Sequence, residues 1–182
     1  MRYFSLAGLA LAGALVLAAD VRDCACDAAR PETMAARECG LCREAEKQPA
    51  GAAVFFLKDS NPRKPNRTLV LPRAHGKGPH SLAELSARDR TEFWTAAIAK
   101  AKQLWGAQWG VAMNGDMSRT QCHMHAHVGK LLEGIETRTL VVVDTPAAIP
   151  VPEDNSGLWI HPHEGKLHVH LGEQITETVL MR

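Results

Sequence analysis

Residues 121–128 read Gln-Cys-His-Met-His-Ala-His-Val and place a histidine at every second position. Side chains of a β-strand alternate between the two faces of the sheet, so a strand here directs His123, His125 and His127 to one face. The residues between them are apolar and can be buried on the opposite face. The stretch therefore predicts a strand that carries three imidazoles along one wall of a pocket.

The composition allows one ordinary domain around this strand. The chain has 182 residues, 46% of them hydrophobic, which is enough for a single hydrophobic core. The formal net charge is +1 and there is no long basic run, which argues against nucleic acid polymers as partners. A small phosphorylated ligand needs only local positive charge, so a ligand of that kind stays open.

The first 19 residues have the form of a secretory signal peptide. A short positive start precedes an apolar run that ends in small residues before Asp20, and we exclude this segment from the fold. Leu17 is larger than usual three positions before a cut after Ala19, so an uncleaved N-terminal anchor is the alternative. The preferred prediction is a periplasmic or secreted protein with a cleaved signal.

Four of the five cysteines lie between positions 24 and 42. Export to an oxidising compartment favours disulfides in such a segment. The spacing Cys39-Gly-Leu-Cys42 also suits two thiolates that bind one zinc ion, so zinc and disulfide both stay open here. We expect Cys24 and Cys26 to be structural, and Cys122 to be a small buried apolar residue.

Periodicity and turn residues predict the other elements. One helix, or two short ones, spans residues 30–48, and an amphipathic helix with core-facing aromatic residues spans residues 87–105. The first two strands are expected to form a hairpin. The predicted strands are residues 53–58, 67–72, 109–114, 121–128 and 139–143.

The predicted fold class is α+β, with one antiparallel sheet of about five strands and one long helix packed on it. After the signal peptide (1–19) we expect a cysteine-containing segment (20–52), a central domain (53–145) and a C-terminal extension (146–182). The extension carries a second group of histidines, for which a second metal site and an edge or dimer-forming strand are the alternatives. These histidines are His161, His163, His168 and His170.

Several motifs follow one another along residues 39–130. They are Cys39-x-x-Cys42, the turn and strand from Asn61 to His75, the long helix, Asn114-Gly115 and the three alternating histidines. Together they resemble the histidine-triad (HIT) superfamily. The resemblance implies that residues 53–145 form a HIT-like catalytic domain, a nucleotide-binding sheet whose histidine cleaves a phosphoester, phosphoanhydride or phosphoramidate bond.

The resemblance also implies roles for individual residues. His125 would be the nucleophile that attacks the α-phosphorus and forms a nucleotidyl-histidine, which water then hydrolyses. His127 would assist the leaving group, and His123 would complete the catalytic triad. Substrate phosphate would be bound by polar residues before the triad. These are Asn114, Arg119, Thr120 and Gln121.

A zinc-bearing branch of the superfamily implies a structural metal site beside the triad. Its ligands here would be Cys39, Cys42, His75 and His123, a closed tetrahedral set. No organic cofactor is expected. Oxidation outside the cytosol competes for the same two thiolates, so disulfide bonding of Cys39 and Cys42 is the alternative.

The residues directly before the triad bear on the substrate. Arg119-Thr120-Gln121 stands directly before Cys122-His123, which is similar to the sequence before the histidines of exported bacterial CDP-diacylglycerol pyrophosphatases. Expected substrates are therefore small nucleotide conjugates, including lipid-linked ones, and a homodimer is implied. The rivals are a HIT domain that binds without turnover and a periplasmic metal-binding protein. Basic residues near the pocket are expected to be mostly solvated: Arg63, Lys64, Arg67 and Arg73.

Overall fold

The computed structural model describes residues 21, 24–74, 80–135, 137 and 139–182, so the predicted signal peptide lies outside the described residues. Helices α1 (Gly40–Glu46) and α2 (Ala87–Trp105) accompany one sheet of seven strands. All strand pairs are antiparallel. The strands are β1 (Val54–Lys58), β2 (Thr68–Pro72), β3 (Trp109–Met113), β4 (Ala126–Lys130), β5 (Leu140–Val143), β6 (Gly157–His163) and β7 (Lys166–Glu173).

The outline of the predicted fold is confirmed, since an antiparallel sheet carries one long helix. The predicted number of about five strands is wrong, because β6 and β7 of the C-terminal extension join the same sheet. The strand order is β1-β2-β4-β3-β6-β7-β5, so β7 is an inner strand and not the predicted edge. The predicted hairpin is confirmed by the pairing of β1 with β2.

Helix α2 covers one face of the sheet. It begins after Ser86, whose hydroxyl accepts a hydrogen bond from the Asp89 amide, and this N-cap satisfies one of the free N–H groups at the helix start. The apolar residues of α2 recur every three or four positions and pack against β2, β3 and β4, in one hydrophobic cluster that also includes residues of β6 and β7. Each large side chain buried here, such as Trp94, contributes about 1.5–3 kcal/mol.

The opposite face of the sheet is covered in two separate places. Helix α1 packs on β1 and β2, where Ala45 contacts the cluster that contains Leu71. The C-terminal segment, residues 174–182, packs on β3 and β6. There Leu180 joins the cluster that contains Trp159. The part of the sheet between these two covers forms the floor of a cavity.

Two paired glycines allow the C-terminal segment to lie close to the sheet. Gly110 of β3 is opposite Gly129 of β4, and Leu180 lies over both. A Cβ atom on Gly110 would be 2.6 Å from Leu180 Cδ2, so a larger residue here would push the segment away.

One row of cross-strand neighbours crosses the face opposite α2. His127 pairs with Ala112, Ala112 pairs with Trp159, and Trp159 pairs with His170. Paired residues share a face of the sheet. His127 and His170 therefore lie on the same face, three strand spacings or about 14 Å apart.

The histidine stretch departs from its predicted structure. Strand β4 begins only at Ala126, and residues 121–125 are outside the ladder. The Cys122 amide donates a hydrogen bond to the Glu38 carbonyl at 2.9 Å, and Cys122 is bonded covalently to Cys24. These contacts draw the residues before β4 towards the N-terminal segment.

Among the described residues, no helix combines the length and apolar character needed to cross a membrane.

Candidate active site

A cavity of about 760 Å³ lies between α1 and the C-terminal segment. Its wall includes the end of β1, the turn that follows, the loop before β4 and the start of α1. Basic lining residues outnumber acidic ones, which favours an anionic ligand. The basic ones are Arg37, Arg43, Lys58, Lys64 and Arg119, and the acidic ones are Glu44, Asp59 and Glu177.

Two of the three predicted triad histidines reach the cavity. His125 and His127 line it, with ring centroids 5.3 Å apart. His123 is fully buried, and its Nε2–H donates to the Pro72 carbonyl at 2.7 Å. The prediction of three imidazoles on one pocket wall is therefore wrong for His123, because residues 121–125 do not follow the alternation of a strand.

A backbone hydrogen bond fixes the tautomer of His125. Its Nδ1 is 2.9 Å from the His123 carbonyl oxygen, and Nδ1 must carry the proton because a carbonyl only accepts. Burial, followed by the charge of His127, lowers the pKa of His125 to about 3. The imidazole is therefore neutral at physiological pH, and Nε2 keeps a lone pair for an electrophile.

His127 lies between two carboxylates. Its Nδ1 is 3.6 Å from Asp59 Oδ2 and its Nε2 is 3.4 Å from Glu177 Oε2. Burial raises the pKa of both carboxyl groups, but interactions with His127 and Lys64 outweigh it, so both pKa values are lowered. Both carboxylates are thus charged at neutral pH, and they attract a protonated imidazole between them.

Arg67 holds the segment that carries Glu177. Its Nη1 donates to Glu177 Oε2 at 2.7 Å, and its other N–H groups donate to the carbonyls of Glu177, Leu180 and Met181. Lys64 also donates to the Glu177 carboxylate. Arg67 is 3% exposed, so the expectation of a solvated side chain is wrong for this residue.

Asn114 holds the same segment from the other side. Its Oδ1 accepts hydrogen bonds from the backbone amides of Thr176 at 2.9 Å and Glu177 at 3.0 Å. The side-chain oxygen is therefore engaged by the protein, and the amide nitrogen is the part that can meet a substrate. Contact between Asn114 and phosphate stays a prediction.

Arg119 lines the cavity with part of its guanidinium group unpaired. Its Nη2 donates to the Asp116 carboxylate and to the His80 carbonyl. Within the described part of the chain, Nε and Nη1 are buried without a hydrogen-bond partner. Because buried unpaired donors are costly, an anionic ligand that accepts from them would be stabilised.

Gln121 links the histidine loop to α1. Its Oε1 accepts from the Leu41 amide at 3.1 Å, and its Nε2 donates to the carbonyl of Arg37 at 3.2 Å. Thr120 lies beside it on the cavity wall. The structure thus places both predicted phosphate-binding residues at the cavity, but the Gln121 amide already has protein partners.

The predicted zinc site is not formed in this structure. Cys39 is bonded to Cys26, with a Cα–Cα distance of 5.7 Å, so it offers no thiolate. Cys42 is a free buried thiol, and burial raises its pKa to about 11, which disfavours the thiolate that a metal needs. His75 lies outside the described residues, and His123 is bound to a carbonyl. The alternative of disulfide bonding is confirmed for Cys39, which is bonded to Cys26, and is wrong for Cys42, which is a free thiol.

The second disulfide staples the histidine loop to the N-terminal segment. It joins Cys24 to Cys122 across a sequence separation of 98, so Cys122 is not the free apolar residue that we expected. The structural role expected for Cys24 and Cys26 is confirmed. One sulfur of each of Cys24, Cys26 and Cys122 lies within 4.8 Å of the other two, so the two disulfides are in contact.

The second histidine group forms a candidate metal centre. His161, His168 and His170 each place one ring nitrogen within 4.8 Å of the other two. The other group with such spacing among the described residues consists of Cys24, Cys26 and Cys122, which are bonded in disulfides, so the histidines of β6 and β7 are the stronger candidate.

Sequence reasoning missed the two carboxylates beside His127. Asp59 directly follows β1 and opens the turn that faces the cavity, and this position at a strand end was a usable signal. Glu177 lies 50 positions after His127 in the sequence, and no local pattern connects them. Only the sheet order brings the C-terminal segment to the site.

Comparisons with known proteins do not name the site. No family of known proteins matches the chain, and no curated protein matches it significantly. The functional argument therefore depends on the geometry of the cavity and its histidines.

Proposed function

We propose that this chain is an exported nucleotidyl hydrolase or transferase of the HIT type. It would cleave a phosphoanhydride, phosphoester or phosphoramidate of a nucleotide conjugate through a nucleotidyl-histidine on His125. The observation that carries the proposal is the hydrogen bond from His125 Nδ1–H to the His123 carbonyl at 2.9 Å. It leaves Nε2 unprotonated on a residue that lines a cavity with more basic than acidic side chains.

In the first step, His125 Nε2 donates its lone pair to the α-phosphorus. A phosphorus–nitrogen bond forms, and the bond from phosphorus to the leaving group breaks with its electron pair on the leaving atom. Protonated His127, held between Asp59 and Glu177, gives that atom a proton. The leaving group departs neutral or with one negative charge fewer than it would otherwise carry.

In the second step, water attacks the same phosphorus. Neutral His127 accepts a proton from the water, a new phosphorus–oxygen bond forms, and the bond to His125 Nε2 breaks. The nucleoside monophosphate leaves and both histidines return to their starting states. An alcohol in place of water would make the reaction a transfer.

The residues that bind phosphate in this proposal are those with unused donors. Arg119 has two unpaired donors, Nε and Nη1, which are buried and would reach a phosphate after a movement of the side chain, and Asn114 offers its side-chain nitrogen. Thr120 extends the same wall of the cavity, and Gln121, whose amide already donates to protein carbonyls, would bind phosphate only by exchanging these partners. Donors placed before the reaction stabilise the charge that develops on the phosphoryl oxygens.

Export is part of the proposal, and two disulfides support it. Such bonds persist in oxidising compartments and are rare in the cytosol, which agrees with the predicted signal peptide. The HIT-type homodimer stays a prediction.

A lipid-linked nucleotide, such as a CDP-alcohol, is the second candidate substrate. Three leucines, Leu41, Leu57 and Leu69, line one part of the cavity. An apolar strip beside basic side chains suits an amphipathic leaving group better than a second nucleotide. This observation favours the lipid-linked substrates that the similarity at Arg119-Thr120-Gln121 implies.

The test measures whether the purified mature chain hydrolyses CDP-diacylglycerol, nucleoside phosphoramidates or dinucleoside polyphosphates. The variant His125→Ala is assayed alongside. We expect turnover of one class, loss of turnover in the variant, and a nucleotidyl mass adduct on His125 after rapid quenching. Turnover that survives in His125→Ala would refute the nucleophile. Nucleotide binding without turnover would favour a non-catalytic HIT domain, and metal binding alone would favour the metal-binding rival.

A further inference from the structure

We infer that His161, His168 and His170 form a binding site for one divalent transition-metal ion of the Zn²⁺ class, separate from the catalytic cavity. The three residues occupy neighbouring positions on an antiparallel pair, since His161 is directly opposite His168 and His170 follows on the same face. None of them lines the cavity that holds His125 and His127. The proposal therefore does not depend on the proposed hydrolase activity.

The distance between the two innermost imidazoles suits a shared ion. His161 Nε2 and His170 Nε2 are 3.1 Å apart. Two ligands of one tetrahedral zinc ion, with bonds of about 2.0–2.1 Å, have nitrogens about 3.3 Å apart. One ring nitrogen of each of the three histidines lies within 4.8 Å of the other two, so a small movement of the half-buried His168 ring would complete a three-nitrogen face.

The outer nitrogens of the two innermost rings already have the partners that metal-binding histidines use. His161 Nδ1–H donates to the Pro162 carbonyl at 3.2 Å, and His170 Nδ1 is 2.9 Å from Thr137 Oγ1. Such contacts fix which nitrogen faces the metal and orient the ring. Trp159 stacks on His170 with centroids 3.7 Å apart and planes 6° apart, which holds that ring further.

The third ring, that of His168, lies on the solvent side of the proposed ion position. His168 is partly exposed, and its Nδ1 is buried without a hydrogen-bond partner among the described residues. His163, which is 52% exposed in its side chain, has its ring 4.5 Å from that of His168. An ion can therefore reach the site past His168, and its fourth position stays open to water or to His163.

The ligand chemistry selects the ion. Three imidazoles are borderline donors that suit Zn²⁺, Cu²⁺ or Ni²⁺, and they suit Mg²⁺ or Ca²⁺ poorly. Without metal, neutral rings satisfy the contacts in one arrangement, in which His170 Nε2–H donates to His161 Nε2 and Thr137 donates to His170 Nδ1. Metal binding would move the His170 proton to Nδ1, so the tautomer reports occupancy.

The experiment is zinc titration by calorimetry of the untagged mature chain, freed of metal with EDTA and checked by metal analysis. We expect one Zn²⁺ per chain at this site, and long-range ¹H–¹⁵N spectra in which His170 changes from the Nε2–H to the Nδ1–H tautomer. His168→Gln should weaken binding at least about 100-fold, and Thr137→Val, which removes an outer contact, about 10-fold.

Two variants locate the ion and serve as controls. His80→Gln removes a histidine from another part of the molecule and should leave the affinity unchanged, and so should His125→Ala at the catalytic cavity. Circular dichroism and the thiol count establish that each variant is folded. The proposal is overturned if wild type binds no zinc, if His168→Gln binds as wild type does, or if the loss occurs in His125→Ala instead. The tautomer change in wild type tests the site even if His168→Gln fails to fold.

Discussion

His127 and His170, one from each histidine group, share one row of the sheet, but the two groups differ in what their nitrogens face. At the cavity, His125 Nδ1 faces a carbonyl and His127 lies between the Asp59 and Glu177 carboxylates. On β6 and β7, the Nε2 atoms of His161 and His170 face one another. Imidazoles next to oxygen acceptors are prepared to hold and move protons, whereas converging imidazoles are prepared to share a cation.

This difference teaches that alternating histidines do not define a function. Both groups arise from the period-two pattern, and both lie on the face opposite α2. The partner atoms come from elsewhere in the chain: the turn after β1 and the C-terminal segment in one case, the neighbouring strand in the other. The comparison therefore predicts effects that separate the two groups cleanly.

The largest expected effect is the loss of hydrolysis in His125→Ala. Removal of a nucleophile typically lowers turnover by roughly 10⁵-fold or more, and zinc affinity should not change. The matched variant His168→Ala should show the reverse, with hydrolysis retained and zinc affinity lost. Steady-state kinetics and calorimetry on both proteins measure this; equal damage to both functions by either variant would show that the two groups act as one site.

Removal of the disulfide at the histidine loop should have the next largest effect. Cys24→Ser combined with Cys122→Ser frees a loop of about 100 residues, and the free energy of unfolding should fall by about 2–5 kcal/mol. Urea denaturation measures this. In the folded double variant without metal, His161 and His170 should keep their tautomers. The pairing of β6 with β7, and not the disulfide, holds these two rings together.

The same disulfides make a prediction for thiol chemistry. Alkylation of the unfolded wild-type chain without reductant should modify one cysteine, Cys42, and reduction should expose five. Mass spectrometry counts the adducts. Three or more reactive thiols in protein recovered from the exporting compartment would contradict the pairing and return the cysteines to consideration as zinc ligands.

The carboxylates beside His127 should have a smaller effect that depends on the substrate. Asp59→Asn and Glu177→Gln should each lower turnover by about 100-fold, because the proton on His127 loses a negative neighbour. The loss should nearly vanish for a p-nitrophenyl leaving group, which needs no proton. Glu164→Gln, at an exposed turn, is the control. A uniform loss across leaving groups would mean that these carboxylates only support the structure.

The smallest predicted effect is a difference in acid stability. The folded pKa of His125 is lowered from 6.5 to about 3 by burial, so below pH 6.5 the unfolded chain binds a proton that the folded chain does not. The stabilisation is complete above pH 6.5 and is lost as the pH falls towards 3. His125→Asn should therefore lose less thermal stability than wild type between pH 7 and pH 5, as measured by melting curves. Identical pH dependence would contradict the buried neutral imidazole.

Local patterns in the sequence were enough to predict part of the fold and site. The three-and-four spacing predicted α2, the turn residues between β1 and β2 predicted the hairpin, and alternation placed His127 on the face of the sheet that forms the cavity. These features depend on neighbours a few residues apart. The same patterns predicted that His123 faces the cavity. His123 is buried instead, because the loop before β4 is bonded to the N-terminal segment through Cys122 and Cys24 and does not continue the strand.

Non-local pairings explain the features that were missed. Five cysteines allow many disulfide patterns, so the bonds of Cys39 and Cys122 could not be chosen from spacing. The pairing of β6 with β3 follows from the sheet order and not from a local motif. Glu177 reaches His127 only because that pairing places the C-terminal segment over the cavity, and its charge gives no sign of this in the sequence.

The clamp of Arg67 on the C-terminal segment has a consequence for biosynthesis. Glu177 follows Arg67 and His125 in the chain, and Arg67 holds the backbone around it through carbonyls up to Met181. His125 is thus translated before the carboxylate that lies beside His127. Until the segment that carries Glu177 docks, the growing chain lacks one wall of the cavity, so under the proposed function it would be inactive during synthesis.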